Sequence, residues 1–463
     1  MKRIRLAAFL FILLTSLFFS GCRIGMDVET LLRPPHPRGE QKKIQQALEK
    51  YLNSQKDEKA PDVLGGYVLK YPKSGEYRSA FVLKDLDGDG REEAIVFYGR
   101  IGENSNVHLN LLKNSKGGWQ SIGDIEGVSS DIDRIQFGDL DGDGVYEVLI
   151  GWNIVNIRDR QLVLYYLKNN IPDEWHKELY SEFVVGKLTD SGRDSLMILH
   201  ANPAENITTA RLLETDRDKT TGEQVLAELG STRLDGYIEQ FSAPRISTLT
   251  DTQMGVYVDG TRSTGMVTEL IYWDGTQLRA PFYNKVKDTT QITFRNASLP
   301  SMDLDGDGYI EWPVIEPLKG YSNPAENKVW LTKWQSWDFD NQRAEDDFSC
   351  IINLTDKYYL SIDKSWKGSF TLLYEKQSHT LTLFELKNGV PSKKIMILRA
   401  VYKSALASTT TALTGASVGE YSGEPVLQEL QDMPDVKFLV WFSTDNAFRL
   451  DMNRIIHMFT YLR

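Results

Sequence analysis

The sequence has only two cysteines, Cys22 and Cys350, in 463 residues. Two thiols cannot supply a disulfide framework, so an exported form of this chain must be held by its core or by metal. Histidine is also scarce. The six residues His36, His108, His176, His200, His379 and His457 show no metal-site spacing such as H-E-x-x-H, and His108 and His176, in strand-like runs, are expected to be ordinary surface or edge residues. Positive charge is in deficit: the formal net charge is −11, which argues against nucleic acid or anionic lipid as the main partner. Beyond the first two dozen residues, no apolar run approaches the roughly 20 residues a membrane-spanning helix needs.

What is present begins with an export signal. Lys2, Arg3 and Arg5 precede an apolar run over 6–19, too short for a comfortable bilayer span but suited to a signal-peptide core. The run ends in Phe19-Ser20-Gly21-Cys22, which resembles the lipobox of bacterial lipoproteins, with Phe19 where leucine is usual. The resemblance implies cleavage before Cys22, a diacylglycerol on its sulfur, and an extracytoplasmic protein anchored to the bacterial cell membrane, leaving Cys350 without a partner. Such lipid holds through burial of its chains, about 0.8 kcal/mol per methylene. Loss of Lys2, Arg3 and Arg5 takes the formal charge from −11 to −14. A Pro-rich tether follows over 22–39, containing Arg33-Pro34-Pro35-His36-Pro37-Arg38. Within 40–64, Ile44, Ala47, Leu48, Tyr51 and Leu52 lie at helical spacing and predict one amphipathic helix over 40–53 that packs on the next domain.

From about residue 65 the texture becomes mainly β: short runs such as 80–83, 94–98, 162–167 and 267–273, punctuated by Gly, Asp and Asn. The string DLDGDG occurs three times, starting at Asp85, Asp139 and Asp303. The first interval is 54 residues and the second 164, close to three times the first, so two eroded copies are expected between them. Gly186-Lys187-Leu188-Thr189 begins one, and Ser247-Thr248-Leu249-Thr250 a fainter one. The second copy reads as four strands, over 135–138, 147–152, 161–167 and 177–182. A four-stranded unit at this period fits a propeller blade, which protects its edges by radial repetition.

Phe137-Gly138-Asp139-Leu140-Asp141-Gly142-Asp143-Gly144-Val145-Tyr146-Glu147-Val148-Leu149-Ile150-Gly151 resembles FG-GAP (VCBS-type) repeats, as in the integrin α-subunit propeller. The whole chain is also similar to Firmicutes lipoproteins carrying such repeats. The resemblance implies a β-propeller of about five blades, up to seven, over 65–345. Beyond it, strands over 358–362, 369–374, 380–386, 394–402 and 436–442 and a terminal helix over 451–462 read as a small α+β domain, 346–463, or as one or two further blades.

Each DLDGDG loop places carboxylates at positions 1, 3, 5 and 9: Asp85, Asp87, Asp89 and Glu93; Asp139, Asp141, Asp143 and Glu147; Asp303, Asp305, Asp307 and Glu311. Four carboxylates in nine residues repel one another unless a hard cation sits among them, and calcium accepts six to eight oxygens in flexible geometry. The backbone carbonyls of Arg91, Val145 and Tyr309, at position 7, are expected to join them. Gly90, Gly144 and Gly308, at position 6, permit the sharp turn. An EF-hand needs a bidentate Glu at position 12; Val96, Ile150 and Val314 stand there inside apolar runs. About three Ca²⁺ ions would carry +6 and bring −14 to about −8, so much of the acidity belongs to metal ligands. In the first eroded copy the ligand places hold Lys187, Thr189, Ser191 and Ser195, where no calcium is expected and a lysine ammonium could stand in for the cation.

Enzyme signatures are weak. Gly415-Ala416-Ser417-Val418-Gly419 matches a nucleophile elbow but lies in a Ser/Thr/Ala/Gly-rich stretch rather than between a strand and a helix. No carboxylate pair stands out for glycoside hydrolysis. Most aromatics are expected in blade cores, with Trp119, Trp175 or Trp337 as exposed candidates for contact with sugar or protein. The composite expectation is a calcium-binding, lipid-anchored adhesion or scaffold module for a protein or envelope component. The competing expectation is a carbohydrate-active enzyme or glycan-binding accessory protein, since some polysaccharide lyases use calcium-decorated propellers.

Overall fold

The computed structural model describes residues 39–55, 66–101, 106–154, 160–168, 171–404 and 425–462. The signal sequence, Cys22, the Pro-rich tether and the 415–419 motif lie outside these residues. The chain is mainly β, and its described residues form six antiparallel sheets of four or five strands and one two-stranded hairpin. No helix among the described residues is long and apolar enough to cross a membrane.

The predicted first helix is present as α1 (Glu40–Ser54), with Ile44 and Leu48 fully buried. It lies on the first sheet, formed by β1 (Tyr67–Leu69), β2 (Phe81–Lys84), β3 (Glu93–Arg100), β4 (His108–Ser115) and β5 (Gly118–Glu126). The central strand β3 is buried on both faces because side chains alternate. Ala94, Val96 and Tyr98 meet α1, while Ile95 and Phe97 face the second sheet.

The second sheet comprises β6 (Ile132–Gly138), β7 (Glu147–Trp152), β8 (Arg160–Lys168) and β9 (Ile171–Tyr180). Three of the four strands expected for this unit agree within three residues at either end. The fourth starts earlier, at Ile171, and Glu182, expected at its end, instead opens the third sheet: β10 (Glu182–Gly186), β11 (Ser195–Asn202), β12 (Ile207–Arg217) and β13 (Gln224–Leu234). The alternation repeats here, with Val148 and Ile150 packing toward the first sheet and Leu149 toward the third. The fourth sheet holds β14 (Gln240–Phe241), β15 (Arg245–Thr250), β16 (Gln253–Arg262), β17 (Gly265–Trp273) and β18 (Leu278–Arg279), followed by a hairpin of β19 (Tyr283–Asn284) and β20 (Thr289–Thr290).

The fifth sheet begins with β21 (Trp312–Glu316), β22 (Val329–Asp338), β23 (Arg343–Asn353) and β24 (Tyr358–Ile362), a short helix α2 (Pro324–Asn327) lying before β22. Position 345, expected as a domain boundary, falls inside β23, which pairs with β22 on one side and β24 on the other. The sixth sheet contains β25 (Phe370–Glu375), β26 (Thr380–Lys387), β27 (Val390–Tyr402), β28 (Gln428–Asp432) and β29 (Val436–Phe442), in the order β25-β26-β27-β29-β28. A large apolar cluster joins it to the fifth sheet, with Tyr358, Leu360, Phe370, Leu383, Leu398 and Phe438 among its members.

The terminal helix is shorter than expected. α3 (Met452–Met458) is capped by Asp451, whose side chain accepts from the Arg454 amide, and then gives way to β30 (Phe459–Tyr461). β30 adds to the fifth sheet beside β24, where the Phe459 ring lies 5.4 Å from that of Tyr358 and 4.8 Å from that of Phe438. Burial of Phe459 in this aromatic cluster outweighs continuation of the helix. Consecutive sheets thus stack pairwise through shared cores. No apolar cluster among the described residues unites the first sheet with the sixth; the first sheet's other face is covered by α1.

Candidate metal-binding loops

The three DLDGDG loops occupy equivalent places, each leading into the strand that starts at its position-9 glutamate or just after it. Residues 85–92 join β2 to β3, 139–146 join β6 to β7, and 303–310 run from an isolated Met302–Glu311 bridge into β21. Most of their hydrogen bonds recur in all three. The position-9 glutamate, almost wholly buried, accepts from the position-2 amide: Glu93 from Leu86 at 3.0 Å, Glu147 from Leu140 at 2.7 Å, Glu311 from Leu304 at 2.9 Å. The position-1 aspartate accepts from the position-6 glycine amide at 3.0 to 3.2 Å in all three. Position-7 amides, those of Arg91, Val145 and Tyr309, donate to the position-5 aspartates at 2.8 to 2.9 Å. Glycines at both positions 4 and 6 take positive φ, for example 79° and 86° at Gly142 and Gly144, which side-chain-bearing residues rarely adopt. Gly88, Gly142 and Gly306 at position 4 are as constant across the three copies as the glycines at position 6.

The carboxylates converge. One oxygen each from Asp303, Asp305, Asp307 and Glu311 lies within 4.8 Å of the others; so do Asp85, Asp87 and Glu93, and Asp139, Asp141 and Glu147. Asp89 and Asp143 fall outside the tight groups of the first two loops. Crowding has a protonation cost. Burial, reinforced by the neighbouring aspartates, pushes the carboxyl groups of Glu147 and Glu311 up to about 8, and burial raises that of Glu93 as well. In the first loop, Oδ1 of Asp85 and Oε1 of Glu93 are buried without a hydrogen-bond partner. Such oxygen-only, converging donor sets fit a hard divalent cation.

In each of four sheets, the strand that pairs next with the one following the loop supplies a residue the loop motif does not contain. Ala94 pairs with Leu112, Val148 with Tyr165, Leu196 with Leu213 and Trp312 with Gln335. The next step in register therefore sets Lys113, Tyr166, Glu214 and Ser336 opposite position 9. In the first sheet the Lys113 ammonium contacts Asp87 and lies 3.4 Å from Asp89 and 3.6 Å from Glu93. Its contact with Asp87, foremost, holds that ammonium well above the usual lysine range. In the fifth sheet, Ser336 donates to Asp347 at 3.1 Å, which brings a fifth carboxylate toward the loop; burial and then Asp305 and Asp307 raise the Asp347 carboxyl.

The eroded copies behave differently from expectation. Lys187 is exposed, and a carboxylate fills the loop instead. Glu214 accepts from Ser195 at 2.7 Å, Ser191 at 3.0 Å and Thr189, with Arg193 at 3.4 Å. Burial opposes its charge, yet the hydroxyl bonds and Arg193 hold its carboxyl below the usual range. In the fourth sheet the loop is gone, and only Asp251 and Thr252 connect β15 to β16.

Two cavities open beside the loops. One of about 640 Å³ adjoins Asp141 and Glu147 and is walled by Tyr166, Trp175 and Arg217 among others. Another of about 320 Å³ adjoins Asp305 and Glu311 and includes Trp337. Trp119 instead donates to Glu40 of α1 at 2.5 Å. Nor is His108 a surface residue: it is buried, stacked on Tyr98 and bonded to Asp124 at 3.2 Å. His176 is half-buried and bonded to Glu178 at 3.1 Å.

No known family profile matches the chain, and no curated protein is similar to it in sequence. Solved structures resemble it at low identity. A rhamnogalacturonan lyase from Bacillus licheniformis is 12% identical, over 53% of this chain and 59% of that one, with a TM-score of 0.30. An exo-β-1,3-galactanase from Phanerochaete chrysosporium is 10% identical, over 73% and 80%, with a TM-score of 0.28. The Dos1 propeller is 8% identical, over 69% and 78%, with a TM-score of 0.28. The chain spans 59% and 61% of the lengths of the two rhamnogalacturonan lyases it resembles. Likenesses this distant assign no function.

Proposed function

We propose that the chain is a calcium-binding, propeller-type module of the FG-GAP kind, lipid-anchored through Cys22 outside the cytoplasm, whose loop edge binds a protein or envelope component. The observation that carries this reading is the convergence of three or four carboxylate oxygens within 4.8 Å at the same place in three sheets. Six antiparallel sheets of four or five strands among the described residues, joined face to face by shared cores, support the blade-like arrangement. When bound, the ion supplies charge neutralisation. The chain's own part is to hold the oxygens: glycines at positions 4 and 6 bend the loop, and the buried glutamate at position 9 ties it to the strand that follows.

Calorimetry of the chelator-treated protein tests the metal reading, and capture from the producing cell's envelope with and without Ca²⁺ tests the partner reading. Calcium-dependent retention supports both; indifference of capture and of melting to Ca²⁺ and chelator contradicts them. A glycan as the bound component is favoured by the cavity beside Asp141, where Tyr166, Trp175 and Arg217 combine aromatic faces with a cation. Depolymerisation of pectic or cell-wall glycans by the calcium-loaded protein would move that variant from binding module to enzyme.

A further inference from the structure

The three DLDGDG loops are alike in sequence but not in what faces them. Glu93, Glu147 and Glu311 are each almost wholly buried, and each lies opposite a different side chain of the neighbouring strand: Lys113 of β4, Tyr166 of β8 and Ser336 of β22. Only the first of these is a cation. Its ammonium contacts Asp87 and lies 3.4 Å from Asp89 and 3.6 Å from Glu93. The position is occupied from within the chain a second time, in the third sheet, where Glu214 reaches across from the equivalent register and the loop carries hydroxyls instead of acids. In the first and third sheets, then, this position supplies a charge that complements its loop.

From this register relationship we propose that Lys113 is a tethered cation that closes the first loop, so that divalent ions bind only at the second and third loops. The proposal rests on the reading of these loops as calcium sites. Calcium bonds its oxygens at about 2.3–2.6 Å. An ion seated among Asp85, Asp87 and Glu93 would lie against an ammonium that already contacts Asp87, so two cations would compete for the same oxygens. Lys113 has the advantage of being held by its strand and needs no free ion, so the first loop stays folded when calcium is scarce. Tyr166 and Ser336 bring no positive charge, and the third loop gains Asp347, which faces a further hydroxyl at Ser336. The occupied loops are therefore those bordering the two cavities, and the first loop is a fixed structural turn.

The test counts ions on the whole exported chain, by calorimetric titration with Ca²⁺ and by native mass spectrometry. The wild type is expected to bind two ions. Asp87→Asn leaves that count unchanged, while Asp141→Asn and Asp305→Asn each remove one. Lys113→Met gains a third ion, with Kd on the order of 10⁻⁴ to 10⁻³ M, and melts lower than wild type in chelator but not in calcium. The reciprocal variant Tyr166→Lys loses the ion of the second loop, and it keeps the proposal testable should Lys113→Met fail to fold. Three ions on the wild type, one of them lost in Asp87→Asn, would overturn the role of Lys113 and leave the calcium reading intact. No ions on any form would overturn both.

Discussion

The Tyr146 amide donates to the Leu86 carbonyl at 2.8 Å, tying the second acidic loop to the first. At Gly88 an added Cβ would lie 3.2 Å from the Gly144 carbonyl oxygen, so the two turns pass in near contact. The relationship continues to the third sheet, where the Asp194 amide donates to the Asp139 carbonyl at 2.9 Å and the Asp194 carboxylate accepts from the Asp139 amide at 3.0 Å. The loops form a hydrogen-bonded strip along three sheets, and an ion bound in the second loop would fix two junctions at once.

Removal of that ion is therefore expected to loosen more than one turn. Asp141→Asn and Glu147→Gln should each abolish the calcium-dependent rise in melting temperature contributed by the second loop. At Ca²⁺ one hundred times the Kd, the lost stabilisation is about 2.7 kcal/mol per site. Melting curves of both variants in calcium and in chelator check this, and the chelator curves should lie close to wild type.

Protonation gives a second expectation. The carboxyl groups of Glu147 and Glu311 stand near 8 instead of 4.5 because burial and then the nearby aspartates disfavour their charge. Without metal, the folded chain holds more protons there than the unfolded chain does. Their contribution to stability is complete below about 4.5 and is lost as pH rises through about 8. Calcium requires both groups ionised, so its binding at pH 7 should release about one proton per site. Titration in two buffers of different ionisation heat measures that release, and the falling stability with pH should appear only in chelator.

A buried ion pair supplies a control outside the metal sites. Arg295 donates to Asp259 at 2.8 Å with both side chains almost completely buried, and Ser301 donates to the same carboxylate at 3.0 Å. Asp259→Ala strands the guanidinium and should cost about 3–5 kcal/mol with no change in ions bound. Denaturant unfolding alongside calcium titration separates the two effects.

Helix α1 is the cover of the first sheet. Leu48 is fully buried against that sheet, so Leu48→Ala should destabilise the protein by about 2–5 kcal/mol. Deleting residues 39–55 should expose the faces of Val96 and Tyr98 and increase binding of a hydrophobic dye.

The parts legible in the sequence are those with local causes. Gly and Asp at fixed offsets define the acidic loops, and the spacing of Ile44 and Leu48 defines α1. Lys113 and Glu214 were hidden because each lies about 20 residues beyond its loop and meets it only through the pairing register of two strands. Asp347 was hidden by the bulge between Trp334 and Gln335, which shifts that register. The strand at Phe459 was masked by helix-compatible spacing at Ile455 and Met458; only the aromatic cluster around Tyr358 decides it. Position 345 looked like a boundary because the acidic motif stops there, yet strand pairing does not.

Titration of calcium into the chelator-stripped protein, followed by melting of the same sample, bears most directly on the central claim. Saturable binding with a higher melting temperature, reversed by chelator, is the expected result. Absence of binding heat together with coincident melting curves would contradict it.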